Sequence, residues 1–321
     1  MTKLLIITGP TATGKTKLAV AVAKQLQGEL VSADSRQVYE GLDVISGKDI
    51  RPGDVPRFQK TVSFRGETYP LVTYGFDDVP VWLYDAVSPE KPCSISLYRT
   101  LANAAIADIT SRGKLPIIVG GAGLYIQAVI DTPETIDVPI DDLARSRWES
   151  LSVAVLQKEL ESLDPARLSR MNNSDKHNPR RLIRALEVAK WRVDHREFGK
   201  KKKAFRELWI GLRSTSSELA DSIRARVRTR WENGAVDEVK RLGDMSAHMP
   251  AVSALGVGLI TDYLRNLISE TDTLEAWTKQ EIAYAKRQMV WFKKNKNIRW
   301  FDANIDDLTA LVVKDVHEWY T

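Results

Sequence analysis

An octet near the N-terminus, Gly9-Pro10-Thr11-Ala12-Thr13-Gly14-Lys15-Thr16, follows directly on the apolar run Leu4-Leu5-Ile6-Ile7. The spacing G-x-x-x-x-G-K-T between an apolar strand and a helix constrains the chain more than any other feature. Backbone N–H groups of such a loop wrap a run of phosphates at a helix N-terminus, the lysine adds a point charge, and the last hydroxyl ligates Mg²⁺. Gly9 to Thr16 are therefore expected to bind a diphosphate, with Thr16 at a magnesium ion. Three ligands fit at this point: ATP for hydrolysis, ATP for phosphoryl transfer, or another diphosphate.

The pattern downstream reads as alternating strands and helices. A strand over 4–8 leads into a helix over 15–27 whose Leu18, Val22 and Leu26 recur every four residues, with Gly28 as its stop. A strand is expected to end at Asp34, a hairpin to turn near Gly66, and further strands to form over 81–86, 114–121 and 208–213. A long helix fits 94–112. From about Asp131 the pattern turns purely helical, clearest over 150–163 and 179–193, and long helices fit 217–242, 255–267 and 274–293. Alternation of this kind predicts a parallel α/β sheet. The fold expected is a P-loop NTPase-like core, 1–132 and a mostly helical 207–321, with an all-helical subdomain inserted at 133–206.

Composition narrows the setting. The chain has 321 residues and a single cysteine, Cys93, which excludes an intramolecular disulfide framework and a cysteine-rich zinc site. No apolar run approaches membrane length and no signal layout precedes the first strand, so a cytoplasmic protein without a membrane partner is expected. The net charge of +5 is unevenly spread: residues 178–321 hold 27 Lys/Arg against 20 Asp/Glu, and 178–206 alone hold 11 against 3. A basic half joined to a near-neutral one suits an anionic polymer. The four histidines show no metal spacing, and no zinc is expected.

Motor or switch chemistry finds little support. The later apolar strand, Pro116 to Gly121, ends in glycines where a hydrolysing NTPase places an aspartate, and Asn295-Lys296-Asn297-Ile298 lacks the aspartate of a guanine site. Asp34 is better placed. The carboxyl ends of neighbouring parallel strands face one crevice, so Asp34 should lie opposite Lys15 and Thr16, placed to accept a proton from a nucleophile, to cap the next segment or to hold Mg²⁺ through water. Trp291, Phe292, Trp300 and Phe301 are expected in the core.

The segments GPTATGKT, SADSRQVY, GGAGLY, NPRRLIRALEV and AKRQMVWFKK…IRWFD occur in an order and at distances that resemble the tRNA dimethylallyltransferases, also called tRNA isopentenyltransferases. The likeness covers most of the chain apart from about 45–80. It implies that the loop holds the diphosphate of dimethylallyl diphosphate, and that the prenyl group moves to the exocyclic amine of the adenosine 3′ of a tRNA anticodon. Asp34 matches the general base and Thr11 a pyrophosphate contact. A clamping arginine is expected at Arg226 or Arg224. Asp34, Ser35, Arg36, Gln37 and Ala122 match positions at the target base and its neighbours, while Arg180, Arg181, Arg184, Lys286 and Arg287 match the tRNA surface. Mg²⁺ is the implied cofactor, the anticodon stem-loop and the prenyl diphosphate the partners, and a monomer the expected state.

The chemistry suits these residues. Loop N–H groups, Lys15, the metal and Thr11 would stabilise a leaving pyrophosphate, and an adenine amine, a poor nucleophile, needs a base such as Asp34. The family pattern is broken at Ser222 (usually Arg), Ala122 (Thr), Val257 (Tyr) and Glu281-Ile282 (Thr-Arg). The rivals are an adenylate isopentenyltransferase acting on a free nucleotide and, further off, a P-loop small-molecule kinase.

Overall fold

β1 (Thr2–Thr8) is buried from Leu4 onward on both faces, as a strand covered by helices on either side must be. It runs into the Gly9–Gly14 loop and α1 (Lys15–Leu26). That helix is closed by Gln27, which takes the left-handed conformation, and not by Gly28. Gly28 instead opens β2 (Gly28–Ser32), where a Cβ would meet the Ile117 side chain at 2.8 Å. The computed structural model describes residues 1–48, 50, 54–131, 135, 136, 138–195, 204–242 and 253–320. The basic cluster at 200–203 lies outside them.

β3 (Arg57–Phe64) and β4 (Glu67–Phe76) form the expected hairpin, with both turn residues, Arg65 and Gly66, at positive φ. β5 (Val79–Trp82) is shorter than the sequence suggests, because Leu83 and Asp85 take positive φ and leave the strand. Ser94 caps α2 (Ile95–Ser111), and β6 (Leu115–Gly120) and α3 (Gly123–Ile130) follow. Next come α4 (Asp142–Glu149), α5 (Val153–Leu163), α6 (Pro165–Arg170), α7 (Asn173–Lys176) and α8 (Pro179–Asp194). Each starts at a side-chain cap, Asp141, Ser152, Asp164, Asn172 and Asn178 in turn; Ser152 is why the helix expected from 150 starts later.

The chain then returns to the sheet through β7 (Phe205–Arg213), followed by α9 (Ser216–Arg230), a π turn (Trp231–Ala235) and α10 (Val236–Leu242). Gly234, at φ 99°, breaks what the sequence reads as one helix over 217–242. α11 (Val257–Leu264), α12 (Glu270–Phe292), β8 (Ile298–Asp302) and α13 (Leu308–Tyr320) complete the described chain.

The eight described strands form one mixed sheet in the order β3-β4-β5-β2-β6-β1-β7-β8. From β5 to β8 every pairing is parallel, and the hairpin extends the sheet by antiparallel pairing of β4 with β5. One apolar layer, including α1 and α13, packs on one face of the sheet, and a larger one with α2, α3, α9 and α12 on the other. By its contacts the chain divides into two units, Met1–Asp131 with Lys203–Thr321, and Thr132–Lys202. The second has its own core, in which Leu156, Leu160, Leu182 and Leu186 are wholly buried. Among the described residues no helix is long and apolar enough to cross a membrane.

Candidate active site

The Gly9–Gly14 loop is held by contacts that follow from its composition. Gly9, at φ 141°, lies so close to β7 that a Cβ would stand 2.4 Å from the Leu212 carbonyl oxygen, so only glycine fits. The Thr13 hydroxyl donates to the Pro10 carbonyl at 2.9 Å, and the Lys15 ammonium donates to the same oxygen at 2.6 Å. The N-cap of α1 is Gly14 at φ 76°, with no side-chain cap, so the first N–H groups of the helix are left to the loop concavity. Gly9, Pro10 and Thr13 shape the loop, whereas Thr11, Ala12, Gly14, Lys15 and Thr16 line a cavity of about 610 Å³ at the carboxyl edge of the sheet.

Across that cavity, β2 stops at Ser32, and Asp34 follows in a turn whose Arg36 N–H donates to Asp34 Oδ1 at 2.8 Å. Asp34, Ser35, Arg36 and Gln37 all reach the cavity wall. The Ser32 hydroxyl donates to Gln37 Oε1 at 2.8 Å, and Gln37 Nε2 donates to the Gly47 carbonyl at 3.0 Å, which fixes the amide's orientation.

α9 contributes the guanidinium groups. Arg226 donates to the Thr11 hydroxyl at 2.7 Å, while Arg224 points into solvent, paired with Asp221 at 2.8 Å. Of the two arginines the sequence offers, Arg226 is thus the one at the loop. One turn further along the same face, Arg230 is only 7% exposed; it donates to Glu281 at 2.9 Å and to the Ser46 carbonyl at 3.3 Å. Lys15, Arg226 and Arg230 crowd together with few carboxylates between them. Burial, and next the Arg226 charge, push the Lys15 ammonium down to about 7 from its usual 10.5, with Asp34 opposing. Burial and Arg226 likewise pull Arg230 down to about 10, against Glu281. A cavity that depresses its own cations calls for a multiply charged anion.

α12 carries the remaining wall: Glu281, Tyr284, Arg287 and Gln288. Gln288 accepts the Thr11 N–H at 2.8 Å and donates to the Gly121 carbonyl at 3.1 Å, tying the loop to the start of α3. Burial, then the Asp34 charge, raise the Tyr284 phenol. The glycines of GGAGLY pack closely: a Cβ on Gly120 would stand 2.2 Å from the Ala33 carbonyl oxygen, which no side chain can accommodate, on Gly121 2.0 Å from the side-chain Gln288 Nε2, and on Gly123 2.1 Å from the Trp291 ring. Ala122 donates its N–H to the Ala33 carbonyl at 3.0 Å and does not reach the cavity wall. Trp291, expected in the core, is 39% exposed because it covers Gly123 at the surface, whereas Phe292 is buried.

The remaining residues expected at a polyanion lie elsewhere. Lys286 is exposed on α12 and away from the cavity. On α8, Arg180 is exposed, Arg181 pairs with Asp175, and Arg184 donates to Glu187 and to the carbonyls of Thr135 and Val138. Sequence reasoning does not single out Arg230, Tyr284 or Gln288, and it marks Glu281 only as a departure from the family pattern. The helical spacings 226–230 and 281–284–288 are the signal that could have found them.

An IPP transferase family model matches residues 75–295, more than half of the chain, and an isopentenyl transferase model matches residues 2–55. The chain belongs to the IPP transferase family. The tRNA dimethylallyltransferase of Anoxybacillus flavithermus is 33% identical over 319 residues, covering 98% of this chain and 94% of the relative. That of Carboxydothermus hydrogenoformans is 34% identical over 326 residues, covering 98% and 97%. Among solved structures, the full-length tRNA isopentenylpyrophosphate transferase of Bacillus halodurans aligns with a TM-score of 0.68 at 32% identity, covering 100% of this chain and 96% of the other. A eukaryotic dimethylallyltransferase crystallised acting on tRNA shares the fold, with a TM-score of 0.78 at 21% identity, covering 100% and 80%. Residues 56–74, which include β3 and most of β4, fall between the two family-model matches.

Proposed function

We propose that this IPP transferase moves the dimethylallyl group of dimethylallyl diphosphate to the exocyclic N6 amine of the adenosine immediately 3′ of a tRNA anticodon, releasing pyrophosphate. The observation that carries the reading is the cavity itself, with Thr11, Lys15 and Arg226 on one side and Asp34 on the other. Relatives named tRNA dimethylallyltransferase support the donor and the acceptor class.

The residues divide the work as the reaction requires. The C–O bond between the prenyl carbon and the diphosphate breaks, and the charge left on the pyrophosphate is met by loop N–H groups, Lys15 and Arg226. The adenine nitrogen forms the new C–N bond, and Asp34 takes the proton it sheds. The Arg36 N–H bond holds the Asp34 carboxylate at the wall for that transfer. Gln37, with its amide oriented by Ser32 and Gly47, presents a polar edge to a base drawn out of the loop stack. In this reading the core is P-loop-like, and the second unit, Thr132–Lys202, serves as an inserted RNA-binding subdomain in a cytoplasmic monomer.

Mg²⁺ fits the donor set in one way. Among the described residues there is no cluster of three or more His, Cys, Asp or Glu side chains for a metal, so an all-protein cage is not available there. Thr16 at the cavity wall, together with diphosphate oxygens, suits a hard cation that keeps part of its water shell. When bound, the ion supplies charge neutralisation to the leaving group.

The test is transfer from labelled dimethylallyl diphosphate, with Mg²⁺, to an unmodified tRNA carrying adenosine 3′ of the anticodon or to AMP, beside an ATP-consumption control. Label in tRNA, lost in Asp34→Ala, is the expected result. Label only in AMP identifies an adenylate isopentenyltransferase, and ATP consumption without transfer identifies a kinase; either outcome overturns the proposal.

A further inference from the structure

Glu238, on α10, is 2% exposed and does not reach the cavity wall. Its carboxylate faces three successive backbone amides: Oε2 accepts the N–H of Asp43 at 3.0 Å and that of Val44 at 2.7 Å, and Oε1 accepts that of Ile45 at 3.0 Å. Burial, and to a lesser degree the Asp43 charge, push the carboxyl above its ordinary range, and the three N–H bonds oppose them. A carboxylate in this place carries a desolvation cost that an apolar side chain would not. What it secures is the loop.

That loop ends at the cavity. The Gly47 N–H donates back to the Val44 carbonyl at 3.0 Å and the Lys48 N–H to the Asp43 carbonyl at 2.9 Å, so the residues that Glu238 grips also set where Gly47 lies. Ile45, Ser46 and Gln37 line the cavity. The Ser46 carbonyl accepts from Arg230 at 3.3 Å, and the Gly47 carbonyl accepts from Gln37 Nε2 at 3.0 Å. The Gln37 amide has two orientations, which differ in the polar edge a base would meet. Ser32 cannot choose between them, because a hydroxyl either donates to Oε1 or accepts from Nε2. The Gly47 carbonyl can choose, since it only accepts and so obliges Nε2 to face it.

We infer, resting on the tRNA-prenylating function proposed above, that Glu238 is a positioning residue for the acceptor half of the site and fixes the Gln37 amide through the 43–47 loop. The donor half should not depend on it. Arg226, although it lies beside Gly47, has its own bond to the Thr11 hydroxyl at 2.7 Å, and Lys15 is held by the Pro10 carbonyl.

The experiment measures kcat/KM for unmodified tRNA at saturating dimethylallyl diphosphate, and the affinity for inorganic pyrophosphate by calorimetry. Both are read in the parent, Glu238→Gln, Gln37→Ala and the double variant. Glu238→Gln keeps the side-chain shape but offers one acceptor oxygen and turns an NH2 towards a backbone N–H, so at least one of the three bonds is lost. It is expected to lower kcat/KM for tRNA by about tenfold or more and to leave the pyrophosphate affinity at the parent value. In the Gln37→Ala background the same change should bring no further loss, because the group it positions is gone. Val316→Ala truncates a wholly buried side chain of α13; it controls for lowered stability alone and should leave kcat/KM unchanged. If Glu238→Gln does not fold, Glu238→Asp, one methylene shorter, goes through the same cycle. A loss of equal size in both backgrounds would mean a merely structural role and overturn the assignment. So would an unchanged kcat/KM, an equal fall in Val316→Ala, or a fall in pyrophosphate affinity as large as that in kcat/KM. A parent protein that transfers no prenyl group to tRNA would sink the functional reading itself and the assignment with it, a distinguishable result.

Discussion

Lys15 illustrates how the cavity is tuned at the level of single residues. Its ammonium titrates near 7 in the free protein, against 10.5 ordinarily, because it is buried beside Arg226. Below pH 7 the cation is present and ready for an anion; above it, a binding diphosphate must draw a proton back onto the nitrogen at about 1.4 kcal/mol per pH unit. The affinity for inorganic pyrophosphate, taken as the difference between parent and Lys15→Met, should therefore fall about tenfold per unit above pH 7. Calorimetry in buffers of different ionisation enthalpy should show proton uptake in that range. For stability the sign is the opposite of a salt bridge's: the folded value lies below the unfolded one, so the penalty is complete below pH 7 and relieved as pH rises towards 10.5. Arg230 and Glu281 make a second case. Glu281→Ala leaves Arg230 buried without its carboxylate and should cost about 3–5 kcal/mol by urea denaturation, whereas the double change Arg230→Met with Glu281→Met should cost far less.

At the scale of elements, α12 organises the site. Glu281, Tyr284, Gln288 and Trp291 share one face of it and meet, in turn, α9, the cavity, the Gly9–Gly14 loop and the start of α3. Gly121→Ala should test this coupling. Its methyl would stand 2.0 Å from Gln288 Nε2, a flexible group that can swing aside, so the cost in stability should be small. The swing breaks the bond to Thr11, however, and a loop displaced by a fraction of an ångström should lower kcat/KM roughly tenfold to a hundredfold with little change in melting temperature. Gln288→Ala should behave alike. The elements themselves were largely legible, since buried parallel strands are continuous apolar runs and α2, α4 to α8 and α12 begin at Ser, Asp or Asn caps. What escaped was set by local backbone or by distant partners. Positive φ at Leu83 and Gly234 ended elements that hydropathy prolonged, and β8 gives a weak signal because it pairs only along β7 and leaves Arg299 and Asp302 exposed. Asp34, Lys15 and Thr11 could be placed because strand ends and the loop share one sheet edge. Gln288 and Arg230 could not, since their partners lie 277 and 51 residues away.

For the whole molecule, the hairpin β3–β4 raises the remaining question, because residues 56–74 fall between the two family-model matches while β5, next to it, sits in the sheet. If the cavity around Lys15 and Asp34 depends only on the parallel part of the sheet, the hairpin is an edge extension that the proposed reaction does not need. Two observations favour that reading. The hairpin is anchored by its own contacts, Tyr69 and Leu71 in the core and Lys60 on Asp108 of α2 at 3.2 Å. Of its residues only Phe76, at the very end of β4, reaches the cavity wall. Excision is also geometrically simple: Arg57 is paired with Thr73, so the chain ends left by removing 57–73 are adjacent and a short glycine link closes them. Loss of the buried Tyr69 and Leu71 should lower stability by several kcal/mol, read as a lower midpoint in urea. The folded fraction should retain a KM for dimethylallyl diphosphate within about threefold of the parent, because Thr11, Lys15, Arg226 and Asp34 are untouched. A much larger rise in that KM, with the protein still folded, would mean that the hairpin holds Phe76 as part of the donor site and that the extension belongs to the reaction.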